Sequence, residues 1–190
     1  MLKGNISMRV IAGVYRSRLL KAVIDDNTRP TTDKNKEMVF NSLGQFFNGG
    51  IVLDLFAGTG SLGIEALSRG MKYGYFCELS PNTYECLKDN IKNLKIENAT
   101  TYNGDFKAFL KKYDNIKFDL VLLDPPYKIS EELPGIVKYL LIKDMLKKDA
   151  LMVLETPRDM EFIPEGFDVI KNKFGAASRF VILKYKGERK

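Results

Sequence analysis

Residues 51–63 read IVLDLFAGTGSLG, an apolar stretch that runs directly into a glycine-rich turn. Gly58, Gly60 and Gly63 match the pattern G-x-G-x-x-G, which occurs where a strand turns into a helix and its backbone approaches a ligand. Glu78 follows Gly58 by 20 residues, the spacing at which an acid in such folds binds ribose hydroxyls. The glycines alone would also fit a strand-to-helix turn without a ligand, but the spaced acid favours a nucleotide-like cofactor.

The chain after residue 50 alternates apolar runs with amphipathic segments. The predicted strands are 51–56, 73–78, 99–103, 118–123 and 150–155, and the predicted helices lie near 61–69, 81–94, 105–113 and 131–147. Continuously apolar strands separated by helices indicate a parallel sheet covered on both faces. Two further strands, about 167–173 and 179–185, are joined through Gly175-Ala176-Ala177 and must run antiparallel. We therefore expect an α/β fold whose parallel sheet ends in an antiparallel hairpin.

The N-terminal part has a different pattern. Residues 8–13 and 17–23 are short β-prone runs that predict a basic β-hairpin, and residues 24–32 predict a loop. A helix is predicted over 33–47, where apolar residues recur at helical spacing. The chain thus divides into an N-terminal hairpin and loop, 1–32, and a main domain, 33–190.

Positive charge is concentrated at the N-terminus. Residues 1–40 hold eight basic and four acidic side chains, and so carry +4 of the formal net charge of +6. Such asymmetry is typical of proteins that bind polyanions, although a solvated surface fits it about as well.

Composition excludes several classes of chemistry. The 190 residues contain no histidine, which excludes a Cys/His zinc site and a histidine-dependent nucleophilic triad. We expect no metal, and we expect Cys77 and Cys86 to be reduced thiols in a cytoplasmic protein. No apolar run approaches the about 20 residues that cross a membrane, and the N-terminus lacks the apolar core of a secretory signal.

Asp54, four residues before Gly58, distinguishes two kinds of cofactor. A carboxylate beneath the glycine turn would repel the pyrophosphate of NAD, but it suits the cationic amino group of S-adenosylmethionine. Phe56 lies in the same turn. Asp105, after the third strand, is placed to accept a hydrogen bond from an adenine amino group, although it would serve equally well as a helix N-cap. Phe106 can cover the adenine face.

Asp124-Pro125-Pro126-Tyr127 directly follows the apolar strand FDLVLL. Ligands of open α/β sheets bind beyond the carboxyl ends of the strands, so this tetrapeptide is predicted to lie beside the cofactor. The prolines make the turn rigid. The carboxylate of Asp124 and the carbonyl of Pro125 can accept hydrogen bonds from an amino group, and Tyr127 offers a face for a base. This combination predicts methylation of an exocyclic base amine, with all four residues in the catalytic site.

Four segments in order resemble the RsmD family of Rossmann-like class I methyltransferases. They are MRVIAGVYRSRLL, TRPTTDKNKEMVFNSL, DLFAGTGSLGIEALSRG and LLDPPY, and the resemblance spans about residues 8–185. It implies a seven-stranded sheet of order three-two-one-four-five-seven-six with strand seven antiparallel, preceded by the N-terminal hairpin and a helix. The activity it implies is transfer of a methyl group from S-adenosylmethionine to the guanine N2 of small-subunit (16S) ribosomal RNA.

The resemblance also implies roles for individual residues. Those expected in the cofactor pocket are Asp54, Gly58, Gly60, Glu78, Asp105 and Phe106, and catalysis is assigned to Asp124, Pro125, Pro126 and Tyr127. The segment Arg29-Pro30-Thr31-Thr32 is placed by the active site. The expected partner is ribosomal RNA in an assembled or partly assembled small subunit.

The candidate RNA-binding residues are basic side chains that would contact phosphates: Arg9, Arg16, Arg18, Lys21 and Arg29. Strand alternation would place Arg16 and Arg18 on one face of the hairpin. Lys107 and Lys111, in contrast, are interpreted as a solvated helix face. We expect a monomer, because no apolar segment remains after the core is assigned.

Three alternatives stay open at this point. The same tetrapeptide would serve a methyltransferase acting on adenine N6 in nucleic acid or on a protein glutamine. An NAD-dependent oxidoreductase would share the glycines and Glu78 but would leave Asp54 and Asp124 unexplained. A non-catalytic RNA-binding module is the third.

Overall fold

The computed structural model describes residues 8–23, 33–175 and 178–187, and a seven-stranded sheet forms its centre. Its strands are β1 (Ile51–Asp54), β2 (Tyr73–Glu78), β3 (Ala99–Asn103), β4 (Phe118–Leu123), β5 (Leu146–Pro157), β6 (Phe167–Phe174) and β7 (Ser178–Tyr185). Their spatial order is β3-β2-β1-β4-β5-β7-β6. The pairs among β1 to β5 are parallel, and β7 runs antiparallel to both of its neighbours. The predicted order and the antiparallel strand seven are confirmed.

Helices cover both faces of this sheet. They are α1 (Asp33–Leu43), α2 (Ser61–Ser68), α3 (Pro81–Asn93), α4 (Phe106–Lys112) and α5 (Leu133–Ile142). Leu120 and Leu122 of β4 pack in the core with α1, α2 and α3, whereas Val121 and Leu123 pack in the core with α4 and α5. Successive residues of a strand point to opposite faces, so a strand covered on both sides needs a continuous apolar run.

Two helices are shorter than predicted. The helix expected over 33–47 ends at Leu43 because Gly44, with φ of 106°, takes the left-handed conformation that terminates helices. The segment expected to be helical over 131–147 is divided. A 3-10 helix, Tyr127–Glu132, precedes α5, and the chain turns at Asp144, with φ of 50°, into β5. Apolar periodicity could not mark these ends, because Leu146 is buried as a strand residue.

The N-terminal hairpin is far less regular than the sequence predicted. Its paired strands are only Met8–Arg9 and Leu19–Leu20, and residues 12–17 form bends and turns. Beyond Val10, which bonds across the hairpin to Arg18 O and Ser17 N at 2.9 Å, the backbone N–H groups turn to α2 in place of the opposite strand. Ile11 N and Ala12 N donate to the carboxylate of Glu65 at 2.7 and 3.0 Å. Neither Arg16 nor Arg18 lies in a strand, so strand alternation does not set the direction of their side chains, and both side chains are exposed.

Helix α2 is enclosed between the sheet and this N-terminal segment, and all of its residues are buried. Glu65 also accepts from Arg69 Nε at 2.7 Å, so its buried charge is paired. Ser68 Oγ accepts from Tyr15 N at 3.0 Å. The residues of 8–23 are thus attached to the main domain, and the predicted division at residue 32 stays a prediction. No helix within the described ranges is long and apolar enough to cross a membrane.

Gly63 allows α2 to pack closely on the sheet. A Cβ there would lie 2.3 Å from the Phe76 ring and 2.9 Å from Asp54 Oδ2. We expect Gly63→Ala to lower the free energy of unfolding by about 1–3 kcal/mol, because the buried ring must shift. Gly135→Ala is the matched control, since nothing lies within 4 Å of its Cβ position, and it should stabilise α5 by about 0.5–1 kcal/mol. Urea unfolding measures both, and equal effects would contradict the packing role of Gly63.

Candidate active site

A cavity of about 630 Å³ opens at the carboxyl ends of the central strands. The sequence-predicted residues that line it are Asp54, Phe56, Gly58, Glu78, Asp105, Phe106, Asp124, Pro125, Pro126 and Tyr127. The predicted cofactor residues and the predicted catalytic tetrapeptide therefore share one cavity. Gly60 is not among the lining residues. Its φ of 89° and the Leu87 side chain, 2.5 Å from a Cβ position, give it a role in the turn itself.

Asp54 lies at the base of the cavity, at the end of β1, and is only 2% exposed. Its Oδ2 accepts a hydrogen bond from Gly63 N at 2.9 Å. Its pKa is raised to about 7, first because burial penalises the charged carboxylate and then because Asp124 and Glu78 are negative neighbours, with the Gly63 hydrogen bond opposing. A cationic ligand group would reverse this balance and favour the carboxylate.

Glu78 connects the glycine turn to the end of β2. Its Oε2 accepts from Gly58 N at 2.9 Å, and its Oε1 accepts from Ser80 N at 2.8 Å. Burial raises the pKa of Glu78, and these backbone hydrogen bonds oppose that rise. Each carboxylate oxygen has a second lone pair, so the fixed side chain can also accept from a pair of ligand hydroxyls.

Ser61 is a site residue that the sequence analysis missed. It lines the cavity at the start of α2, and its buried Oγ has no hydrogen-bond partner among the described residues. Buried hydroxyls are nearly always paired, so an unpaired one beside a cavity indicates a ligand partner. The first N–H groups of a helix also favour negative charge. Asp54 and Ser61 together therefore fit a ligand that carries an ammonium and a carboxylate, as the methionine part of S-adenosylmethionine does.

Another part of the cavity wall is largely apolar. The Phe56 and Phe106 rings lie 5.4 Å apart at 57°, and Leu79, 66% exposed, lines the same cavity. Asp105 caps α4 by accepting from Lys107 N at 2.8 Å through Oδ1. The N-cap role left open by the sequence is thus observed, and it places the carboxylate at the cavity wall. This wall has the flat, apolar character that suits an adenine ring.

Lys107 is exposed, as its interpretation as part of a solvated helix face predicted, but it also has specific contacts at the site. It lines the cavity and forms an ion pair with Glu132 Oε1 at 3.1 Å, and its Nζ lies 5.4 Å from the Phe106 ring centroid. The pair joins the start of α4 to the end of the 3-10 helix that begins at Tyr127. Sequence could not show this contact, because it depends on the path of the chain after Tyr127.

The tetrapeptide Asp124–Tyr127, predicted to be catalytic, leaves β4 in an extended conformation. Pro126 has φ of −52° and ψ of 139°, and its carbonyl accepts from Ile129 N at 2.9 Å. The carbonyl of Tyr127 accepts from Ser130 Oγ at 3.0 Å. These bonds fix the backbone while the Tyr127 ring remains 51% exposed. A rigid turn with an accessible aromatic ring suits a bound base.

The predicted RNA-binding residues lie at different places. Arg9 pairs with Asp33 at 3.0 Å and Lys21 pairs with Asp89 at 2.7 Å, whereas Arg16 and Arg18 occupy the exposed turn. Arg29, with the segment Arg29-Pro30-Thr31-Thr32, lies outside the described residues.

The exposed turn is distant from the cavity along α2. Val14 N donates to Ser68 O at 2.9 Å, so the turn sits at the far end of α2 from Ser61, about 10 Å away at the rise of a helix. Met8 and Val23, in contrast, line the cavity. The N-terminal segment thus reaches from the cavity rim to a basic surface turn. No group of three His, Cys, Asp or Glu side chains within the described ranges could hold a metal ion.

The sheet order, the glycine turn with its two acids and the tetrapeptide at the end of β4 define a Rossmann-like class I methyltransferase. Residues 8–184 match the family model described as "Conserved hypothetical protein 95". The chain therefore belongs to this family, the RsmD family. Membership of this methyltransferase family excludes the alternative of an NAD-dependent oxidoreductase.

Similar proteins support this membership. "Putative rRNA methyltransferase YlbH" of Bacillus subtilis is 42% identical over 161 residues, which are 83% of this chain and 86% of that protein. "Ribosomal RNA small subunit methyltransferase D" of Haemophilus influenzae is 39% identical over 177 residues, 90% of this chain and 89% of that protein. The solved structure "Putative methyltransferase yhhF from Escherichia coli" has a TM-score of 0.83 at 26% identity, covering 96% of this chain and 99% of that one.

Proposed function

We propose that this protein transfers a methyl group from S-adenosylmethionine to the exocyclic N2 of a guanine in small-subunit ribosomal RNA. The observation that carries the proposal is that Asp124 and Tyr127 line the same cavity as Asp54 and Glu78. A site for an acceptor amine and a site for a cationic, ribose-bearing cofactor thus adjoin each other. The names of the similar proteins support ribosomal RNA as the substrate.

S-adenosylmethionine supplies an electrophilic methyl group on a sulfonium. The residues proposed to hold it are those whose chemistry fits its parts. Asp54 pairs with the amino group, Ser61 with the carboxylate and Glu78 with the ribose hydroxyls. Asp105 and Phe106 contact the adenine, the first by accepting from its amino group and the second by covering its face.

The catalytic residues act on the acceptor. A base amine is a weak nucleophile because its lone pair is delocalised into the ring. Hydrogen bonds from its two N–H groups to the Asp124 carboxylate and the Pro125 carbonyl localise the lone pair and aim it at the methyl group. The carboxylate also stabilises the positive charge that develops on the nitrogen. Tyr127 stacks on the base and holds its orientation.

The choice of guanine N2 over adenine N6 rests on the near full-length resemblance to the RsmD family. The basic turn with Arg16 and Arg18 supports a nucleic acid over a protein glutamine. An assembled subunit as substrate, a monomeric enzyme and a cytoplasmic location stay predictions.

The proposal is tested by offering labelled S-adenosylmethionine with three acceptors: small subunits lacking the modification, the naked small-subunit RNA, and DNA. We expect label in the subunits or their RNA and none in DNA. Label in DNA alone, or in protein alone, would contradict the proposed substrate. The comparison of subunit with naked RNA decides which form the enzyme recognises.

The exposed basic turn gives a separate prediction. Arg16→Glu with Arg18→Glu should weaken binding of the RNA substrate and reduce the slope of log K against log salt by about 0.7–0.9 for each lost phosphate contact. Lys95→Glu with Lys138→Glu changes the net charge equally at exposed residues that do not line the cavity and should change the slope less. Filter binding at several salt concentrations measures both, and identical slopes would remove the turn from the RNA-binding surface.

A further inference from the structure

A second concave surface adjoins the catalytic cavity. We call it the aromatic groove, and it is lined by Tyr127, Pro157, Arg158, Asp159 and Phe174, with a volume of about 600 Å³. Tyr127 lines both the groove and the catalytic cavity. A ligand that stacks on Tyr127 in the cavity can therefore continue into the groove.

The two surfaces are also neighbours along the chain. Glu155 and Gly175 line the catalytic cavity, whereas Pro157 and Phe174 line the groove. Arg158 Nη1 donates to Gly175 O at 3.1 Å, which ties the residue that follows β5 to the residue that follows β6. The groove is thus built on the same strand ends that carry the active site.

Phe174 is the main feature of the groove, because its large apolar ring is 54% exposed. Two guanidinium groups contact the Phe174 ring: the guanidinium carbon of Arg158 lies 5.9 Å from the ring centroid and that of Arg179 lies 5.5 Å from it. Arg179 is only 5% exposed and is itself fixed by Asn172 Oδ1 at 2.9 Å and Met160 O at 2.7 Å. An exposed aromatic ring held in this way is a preformed surface for stacking.

Arg158 adds positive charge to the groove. It is exposed, and among the residues the structure describes it forms no ion pair. One of its five N–H donors is used on Gly175 O, so the fork can still bind a phosphate. Asp159 places a carboxylate beside it, which disfavours a free anion but can accept from the amino or imino groups of a base.

We propose that the aromatic groove binds the nucleotide adjacent to the target guanine, with its base stacked on Phe174 and its phosphate held by Arg158. This inference rests on the proposed function. A guanine whose N2 enters the cavity must leave its own stack, so its neighbour loses a stacking partner. Phe174 replaces that partner, and recognition of unstacked RNA bases by aromatic rings is the general mode for single-stranded RNA.

The test uses steady-state methylation of small subunits lacking the modification. Phe174→Leu keeps an apolar side chain but removes the ring, and it should raise KM for the RNA substrate by on the order of 5- to 100-fold. Phe174→Trp restores a stacking surface and should return KM to near the wild-type value. Phe46→Leu is the control at another exposed phenylalanine, 64% exposed, and should leave KM unchanged. Affinity for S-adenosylmethionine should be the same in all variants, which shows that the cavity is intact.

Arg158→Ala provides an independent arm of the test. It should reduce the slope of log K against log salt for RNA binding by about 0.7, the value for one phosphate of a single strand. The groove proposal is overturned if Phe174→Leu matches wild type, or if Phe174→Trp is as impaired as Phe174→Leu. If the wild-type protein methylates no RNA, the proposed function fails and the groove proposal fails with it, and that result is visible in the wild type alone.

Discussion

Replacing Asp124 with alanine should lower the rate of methyl transfer by at least about 10²- to 10³-fold, the loss typical of removing one group that stabilises charge in a transition state. Asp124 is proposed to hold the acceptor amine and to stabilise its developing charge, so kcat should fall. The affinity for S-adenosylmethionine should change little, because Gly58, Glu78 and Phe106 remain in place. Single-turnover kinetics and equilibrium binding of labelled cofactor measure the two effects separately.

Asp124→Asn is the matched control for this prediction. Its amide oxygen can still accept one hydrogen bond from the amine, but the negative charge is lost. We expect its rate to lie between those of wild type and Asp124→Ala. A turnover near the wild-type value in the alanine variant would remove Asp124 from the catalytic site, and a loss of cofactor affinity equal to the loss of rate would assign it to the cofactor pocket instead.

Asp54→Asn should weaken S-adenosylmethionine binding by roughly 10- to 100-fold, because this is the change in affinity that corresponds to the free energy of a hydrogen bond to a charged group. The wild-type affinity should also rise with pH. The pKa of Asp54 is about 7 without a ligand, and the carboxylate is the form that pairs with the cofactor's amino group. The rise is measurable from about pH 5.5 to 7.5, below the titration of an α-amino group. Isothermal titration at several pH values should show proton release, and the asparagine variant should lack it.

The same pKa shift predicts a pH-dependent stability of the protein without cofactor. The pKa of Asp54 in the folded state lies above the value of about 3.9 for an unfolded aspartate. Its contribution to stability is therefore fully present below about pH 4 and is lost as the pH rises through about 7. Wild type should lose more stability than Asp54→Asn between about pH 5 and about pH 8. An equal change in the free energy of unfolding with pH for the two proteins would contradict the buried, protonated state of Asp54.

The sheet could be predicted from sequence because its signal is local and repeated. Each central strand is a continuous apolar run followed by a turn, and β2, β3 and β4 have the predicted bounds. The ends of α1 and α5 could not be predicted in this way. Gly44 and Asp144 end helical stretches through backbone conformation, while apolar residues continue beyond both ends: Phe46 and Phe47 lie outside any helix, and Leu146 is buried in β5.

The parts of the candidate site that could be predicted are those where an acidic residue stands at the carboxyl end of a predicted strand. Asp54 and Glu78 end their strands and Asp124 directly follows its strand, and the carboxyl ends of these strands must meet in a parallel sheet. Ser61 was not predictable, because an unpaired buried hydroxyl is a property of packing and not of spacing. The ion pair of Lys107 with Glu132 was not predictable for a similar reason, since it depends on the fold of a later segment.

The N-terminal segment shows how tertiary contacts shorten an element that a local pattern predicts. Its short β-prone runs predicted a hairpin, and a hairpin forms at Met8–Arg9 and Leu19–Leu20, but it is short because Glu65 and Ser68 of α2 bind the backbone N–H groups between its strands. Those partners lie more than 50 residues away in sequence, so no local reading could find them. The aromatic groove likewise joins Tyr127 to Phe174 across the end of the sheet.

The most direct measurement is nucleoside analysis of small-subunit RNA after reaction with labelled S-adenosylmethionine, with wild type and Asp124→Ala compared. The account predicts label in N2-methylguanosine for the wild type and a loss of at least about 10²-fold in the variant. Label in N6-methyladenosine, or no label in RNA from an enzyme that still binds S-adenosylmethionine, would contradict it.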